Sequence, residues 1–163
     1  MRTLVLIADD PAVVARMRLA TRYAAGVRGI ATLDGRESIG AELAALQPDI
    51  VVVNEMCQRV NTLARLHEAS ATGATVLLLV SAHSRSLVED AFAAGSHAIL
   101  TRESRAPALG SLIGEIALGR VLLSAQHERD VDRPASGEAP PSATVTHLRL
   151  VTDQDARRAG ASA

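Results

Sequence analysis

Residues 50–56 read IVVVNEM, and this stretch decides the fold. Ile50, Val51, Val52 and Val53 are four consecutive β-branched apolar residues with no polar alternation. Such a run describes a strand buried on both faces, as parallel sheets require. It stops at Asn54. In an open parallel α/β sheet, ligands and chemistry collect just beyond the carboxyl ends of the strands. Asn54 therefore takes the position where this architecture keeps its working group.

Upstream, residues 4–8 form an apolar run ending in Asp9-Asp10-Pro11, a first strand and a turn. Pro11 suits the first position of a helix and Asp10 its N-cap. Val13, Val14, Met17, Leu19 and Ala20 then recur at helical spacing, predicting a helix that runs towards Gly26. Residues 27–33 make a weaker second strand. The next helix carries Ile39, Leu43, Ala44 and Leu46 and stops before Pro48. Downstream, a helix over 62–71 precedes the most apolar run, TVLLLV at 75–80, which ends at Ser81-Ala82. Residues 84–94 form a helix, 97–101 a fifth strand ending at Thr101-Arg102, and 109–118 a last helix closed by Gly119. Five strands alternating with five helices through short links predict a doubly wound, five-stranded parallel sheet of the α/β class.

Composition narrows the function classes. The 163 residues suit one domain, expected over 1–125, with an appendage over 126–163. The stretch HERDVDRPASGEAPPS has charges, Pro, Gly and Ser but little apolar content, and it predicts a disordered linker. Residues 144–151, TVTHLRLV, regain β-branched character but cannot fold alone. All 17 basic residues are Arg, and the net charge is −1 with no basic stripe. That argues against direct nucleic-acid binding by this chain alone. Cys57 is solitary, so neither a disulfide framework nor a cysteine zinc site is expected. His67, His83, His97, His127 and His147 lack metal-ligand spacing and read as solvated. MRTLVLIADD is too short and too soon acidic for a signal peptide, and no run reaches membrane length, so a cytoplasmic location is expected. No G-x-G-x-x-G, phosphate-binding loop or nucleophile elbow is present.

The segments VLIADDPAVVARMRL, LQPDIVVVNEM, VLLLVSAHS, EDAFAAGSHAILTRES and GRVLLS, in this order, resemble the receiver domain of bacterial two-component response regulators, in particular the NarL (LuxR-type) branch. The resemblance covers roughly residues 3–124. It implies that two acidic residues after the first strand help hold Mg²⁺ and that an Asp ending the third strand is phosphorylated. It further implies a Ser or Thr ending the fourth strand, a Lys ending the fifth, and an aromatic switch residue three positions earlier. Asp9, Asp10 and Ser81 fit this pattern. Asn54 stands in place of the phosphoacceptor, Arg102 in place of the Lys, Ile99 in place of the aromatic, and Gln58 in place of a usual Pro.

Each departure has a chemical consequence. Acyl-phosphate formation needs a carboxylate nucleophile, and a neutral carboxamide is far weaker. Mg²⁺ prefers hard oxygen ligands, so removing one carboxylate leaves Asp9 and Asp10 as a weak Mg²⁺ site. Arginine presents a planar fork rather than a point charge, which suits a carboxylate bidentately. Arg102 is accordingly expected to reach Asp9 or Asp10. Glu55, following the strand, is expected to point away from Asn54. Taken one at a time, Asp10 is as well explained as a helix cap, Ser81 as a strand-end hydroxyl and Arg102 as a surface charge.

The resemblance thus implies a non-enzymatic pseudo-receiver, a signalling module that works by protein contact without aspartyl phosphorylation. Its expected partner surface is the face from Ser84 to Leu118, which could also pair two copies. An alternative is the receiver part of a NarL-type transcription regulator whose DNA-binding domain is missing or degraded. A phosphoacceptor role for Glu55 or Asp10 and a dinucleotide-binding enzyme are the weaker readings.

Overall fold

The computed structural model describes residues 1–82, 84–102 and 104–120. The tail over 126–163, its linker and the segment 144–151 lie outside the described residues, as do His83, His127, His147 and the closing residues 121–124. The chain alternates β1 (Arg2–Ala8), α1 (Pro11–Thr21), β2 (Val27–Asp34), α2 (Gly40–Leu46), β3 (Ile50–Asn54), α3 (Arg59–Ser70), β4 (Thr75–Val80), α4 (Arg85–Ala93), β5 (Ala98–Thr101) and α5 (Ala106–Ala117). The five strands form one parallel sheet in the order β2-β1-β3-β4-β5. The expected fold class is therefore observed. α1 stops at Thr21, earlier than its apolar spacing suggests, and residues 22–26 turn into β2 with Gly26 at φ 75°.

β3 lies at the centre, and all five of its residues are buried. Parallel neighbours on both sides leave no solvent-facing face, which explains the unbroken Ile-Val-Val-Val run. Alternating strand residues feed two apolar layers. Leu4, Leu6, Val52, Leu77 and Leu100 pack with Met17, Leu109 and Ile113 of α1 and α5. Val5, Ile7, Val51, Leu78 and Ile99 pack with Leu43, Leu66 and Leu87 of α2, α3 and α4. With aromatics nearly absent, close helix approach replaces bulk. At Gly110 a Cβ would collide with the Ala20 carbonyl, and at Gly114 it would lie 2.8 Å from the Ala25 nitrogen. α5 can seat on α1 and on the turn that follows it only because these two positions carry no side chain.

The amino-terminal edge of the sheet holds a polar clamp. Asp49, just before β3, accepts from the Thr3 amide at 2.7 Å, the Thr3 hydroxyl at 2.8 Å and Arg2 Nη1 at 2.8 Å. These bonds, the Thr3 amide foremost, lower its pKa from 3.8 to about 2. His97, ahead of β5, is half-buried rather than solvated, and its Nδ1 accepts from the Val76 amide at 3.1 Å. Burial pushes its pKa below the usual 6.5.

Both the helix packing and this polar edge can be tested. Gly110→Ala should lower stability by roughly 1–3 kcal/mol, the usual range for overpacking, as measured by urea denaturation. For pH the sign is set by His97, whose folded pKa lies below its unfolded value. The unfolded chain takes up the proton first, so stability is full above about pH 6.5 and declines as pH falls below it. Asp49 adds a second loss as pH falls from 3.8 towards about 2. The urea midpoint should drop between about pH 7.5 and 5 in the parent chain, and His97→Asn should flatten that drop.

Candidate functional site

The carboxyl ends of β1, β3, β4 and β5 lie side by side, because Ile7 pairs with Val53, Asn54 with Leu79 and Val80 with Thr101. The register thus brings Asp9, Asp10, Asn54, Ser81 and Arg102 to one sheet edge, as the sequence implies. Ile99, two residues before the end of β5, is fully buried within the core layer under α3 and α4.

Asn54 is fully buried, and its Nδ2 donates to the Glu55 carbonyl at 2.8 Å. Among the described residues its Oδ1 has no hydrogen-bond partner. A buried acceptor without a donor costs free energy, on the order of 1–3 kcal/mol in protein series. A protonated or cationic group brought to this edge would relieve that cost. Asp10 caps α1, its Oδ1 accepting from the Ala12 amide at 2.8 Å, so half of its carboxylate is committed to the helix. Asp9 and Asp10 supply hard oxygens suited to Mg²⁺, and the orphaned Asn54 Oδ1 is a third such oxygen on the neighbouring strand end. One carboxylate oxygen is already bonded and the third donor is neutral, so this set fits a weakly held ion. No group of three or more His, Cys, Asp or Glu side chains suited to a metal occurs among the described residues.

The expected contact from Arg102 to Asp9 or Asp10 is not formed; neither aspartate has an ion pair among the described residues. The arginines at this rim grip main chain instead. Arg36 Nη2 donates to the Asp9 carbonyl at 2.9 Å, and Arg16 Nη1 donates to the Arg102 carbonyl. With Asn54 neutral, the edge lacks the concentrated negative charge that would draw a guanidinium inwards.

Glu55 lies just past the end of β3, its amide donating to the Leu79 carbonyl at 2.8 Å. Its Oε2 accepts from both the Ser81 amide and the Ser81 hydroxyl, each at 3.0 Å. A second tie lies alongside. Arg59, at the start of α3, donates to Ser86 Oγ at 3.1 Å and pairs with Asp90, both on α4. The loop after β3 is thus clasped to the loop and helix after β4. The Met56 amide, held at 3.0 Å by the buried Thr62 hydroxyl, stiffens the first of these loops. A comparable contact fixes the start of α2, which has no side-chain cap of its own. There Glu68 accepts from the Ile39 amide, the Ser38 hydroxyl and Arg65 Nη2, each at 2.9 Å. The i,i+3 spacing of Arg65 and Glu68 was the only trace of this contact in the sequence. Cys57 is exposed and lies outside these contacts.

Glu55→Ala should free the Ser81 amide and speed its hydrogen exchange, while costing at most about 1 kcal/mol of global stability because the contact is solvent-accessible. Glu55→Gln keeps one acceptor but loses charge assistance, and should give an intermediate exchange rate by NMR.

No protein-family model matches the chain, and no curated protein sequence matches it. Solved structures do. The signal receiver domain of the response regulator NarL from Mycobacterium tuberculosis is 19% identical, with a TM-score of 0.60 over 73% of this chain and 98% of that one. A LuxR-family two-component response regulator from Aurantimonas sp. is 22% identical, with a TM-score of 0.57 over 73% of this chain and 86% of that one. A pilus assembly-related protein from Burkholderia pseudomallei is 21% identical, with a TM-score of 0.59 over 80% of this chain and 95% of that one. At these identities the likeness is one of fold. With its strand order and its five flanking helices, the chain has the flavodoxin-like fold of signal receiver domains.

Proposed function

We propose that the chain is a receiver-like signalling module that works through protein contacts and without aspartyl phosphorylation. The observation that carries this reading is Asn54, a fully buried carboxamide at the end of the central strand, where a receiver would need a carboxylate nucleophile. The Glu55–Ser81 contact supports it. The resemblance makes Ser81 a switch position, and in this chain a carboxylate of its own already occupies both donors of Ser81. The loop after β4 therefore has its anionic partner built in. Mg²⁺ has at most a weak, accessory place at Asp9 and Asp10, and Arg102 balances charge at the rim without contacting them.

The partner surface of this reading is the face from Ser84 to Leu118, built by α4, β5 and α5, and a second copy of the chain is one candidate occupant. The module is read as non-enzymatic and cytoplasmic; no helix among the described residues is long and apolar enough to cross a membrane. The second reading, the receiver part of a NarL-type transcription regulator without its DNA-binding output, draws on the NarL and LuxR-family likenesses. The pilus assembly-related neighbour carries a different name on the same fold, so fold alone does not choose between regulatory settings.

Incubation with acetyl phosphate and Mg²⁺, followed by intact mass spectrometry, tests the reading. The parent chain should gain no phosphoryl group, and neither Glu55 nor Asp10 should substitute. Asn54→Asp should gain one acid-stable, hydroxylamine-labile phosphoryl group. A phosphorylated parent chain would refute the proposal.

A further inference from the structure

β2 closes one end of the sheet, and its outer hydrogen-bonding edge has no partner strand among the described residues. The opposite end is β5, a strand of only four residues, and short edge strands offer little to pair with. β2 is twice that length and contains no proline. Its register against β1 slips between Leu4 and Val5, leaving Ile30 as the extra residue. Ile30, Ala31 and Leu33 therefore all pack on the apolar layer that includes Leu43 and Leu66, and all three are only half-buried. The two charges of β2 have opposite signs and sit towards opposite ends. Arg28 is second in the strand and Asp34 is last, and both are exposed. Arg28 has no ion pair among the described residues. Asp34 accepts from the Arg36 amide at 3.0 Å and meets the Arg36 guanidinium at 3.5 Å, with its side chain still exposed.

We propose that β2 pairs antiparallel with β2 of a second copy of the chain, about a two-fold axis between Ile30 and Ala31, joining two five-stranded sheets into one. Charge on an edge strand ordinarily repels another edge. Two β2 strands in parallel would set Arg28 beside Arg28. Antiparallel pairing instead sets the start of each strand beside the end of the other. Arg28 of each copy then comes within one position of Asp34 of the second, and the two-fold makes this contact twice. The same axis makes Ile30 and Ala31 cross-strand neighbours, so the half-buried residues of both copies meet on one face. Unlike charges at the two ends with apolar residues between them make the edge complementary to itself, and this is what selects a second copy as its occupant. The Ser84 to Leu118 face lies at the far end of the sheet and remains free in such a dimer. One strand pair buries less than the roughly 1,600 Å² of a standard interface, so the association is weak and reversible, at about 10 µM to 1 mM.

Sedimentation equilibrium of the full chain at low salt, across that concentration range, tests this. The weight-average mass should rise from one chain towards two. Arg28→Asp or Asp34→Arg alone should weaken dimerisation about tenfold or more, because each turns both attractive contacts of the interface into repulsions. An equimolar mixture of the two variants joins a strand with two acidic ends to a strand with two basic ends. That mixture should recover the dimer, which neither a misfolded variant nor a contact on another face would do. A chain that stays monomeric across the range would overturn the proposal. A dimer indifferent to both reversals, or one weakened by them and not restored in the mixture, would overturn it equally.

Discussion

Parallel pairing on both sides of β3 is the constraint from which the rest of this structure follows. A strand with β1 on one side, β4 on the other and helices over both faces has no exposed residue. Whatever ends it is therefore delivered into the interior at the carboxyl edge of the sheet. That residue is Asn54, completely buried and with its carboxamide oxygen unpartnered among the described residues. A carboxylate in the same place would carry a buried charge needing a cation or a donor. The carboxamide avoids that charge, and with it loses the chemistry that a phosphoacceptor requires.

Around this neutral centre the neighbouring contacts form a consistent set. Asp10 serves the helix that follows it. Arg36 and Arg16 hold main-chain carbonyls on either side of the edge. Glu55 takes both donors of Ser81, and Arg59 reaches Ser86 and Asp90. The loops after β3 and β4 are thereby fixed to one another by groups of the chain itself, with no need of an external anion.

How much of this could be read from the sequence depended on the range of the interactions involved. Ile50 to Val53 and TVLLLV announce buried parallel strands because burial on both faces removes all alternation, and the boundaries of β3 and β4 fell where these runs end. Pro11 behind Asp10 marked the start of α1 through purely local capping chemistry. The convergence of Asp9, Asp10, Asn54, Ser81 and Arg102 was legible because doubly wound topology fixes which strand ends meet. Side-chain direction beyond a strand end was not legible. The Glu55–Ser81 contact left no mark in the sequence, and Arg102 was expected on a carboxylate that it does not touch. His97 read as solvated because nothing local reveals that the Val76 amide lies across from it.

The most direct measurement of the central claim is a titration of the full chain with Mg²⁺, with and without beryllofluoride, followed by backbone NMR. If the edge is held by its own residues, shifts stay local to Asp9 and Asp10 on adding Mg²⁺, and beryllofluoride adds nothing at Ser81 or from Ser84 to Leu118. If beryllofluoride instead produces shifts that start at Asn54 and Ser81 and spread through α4, β5 and α5, a phosphoryl-sensitive switch survives and the phosphorylation-independent reading is wrong.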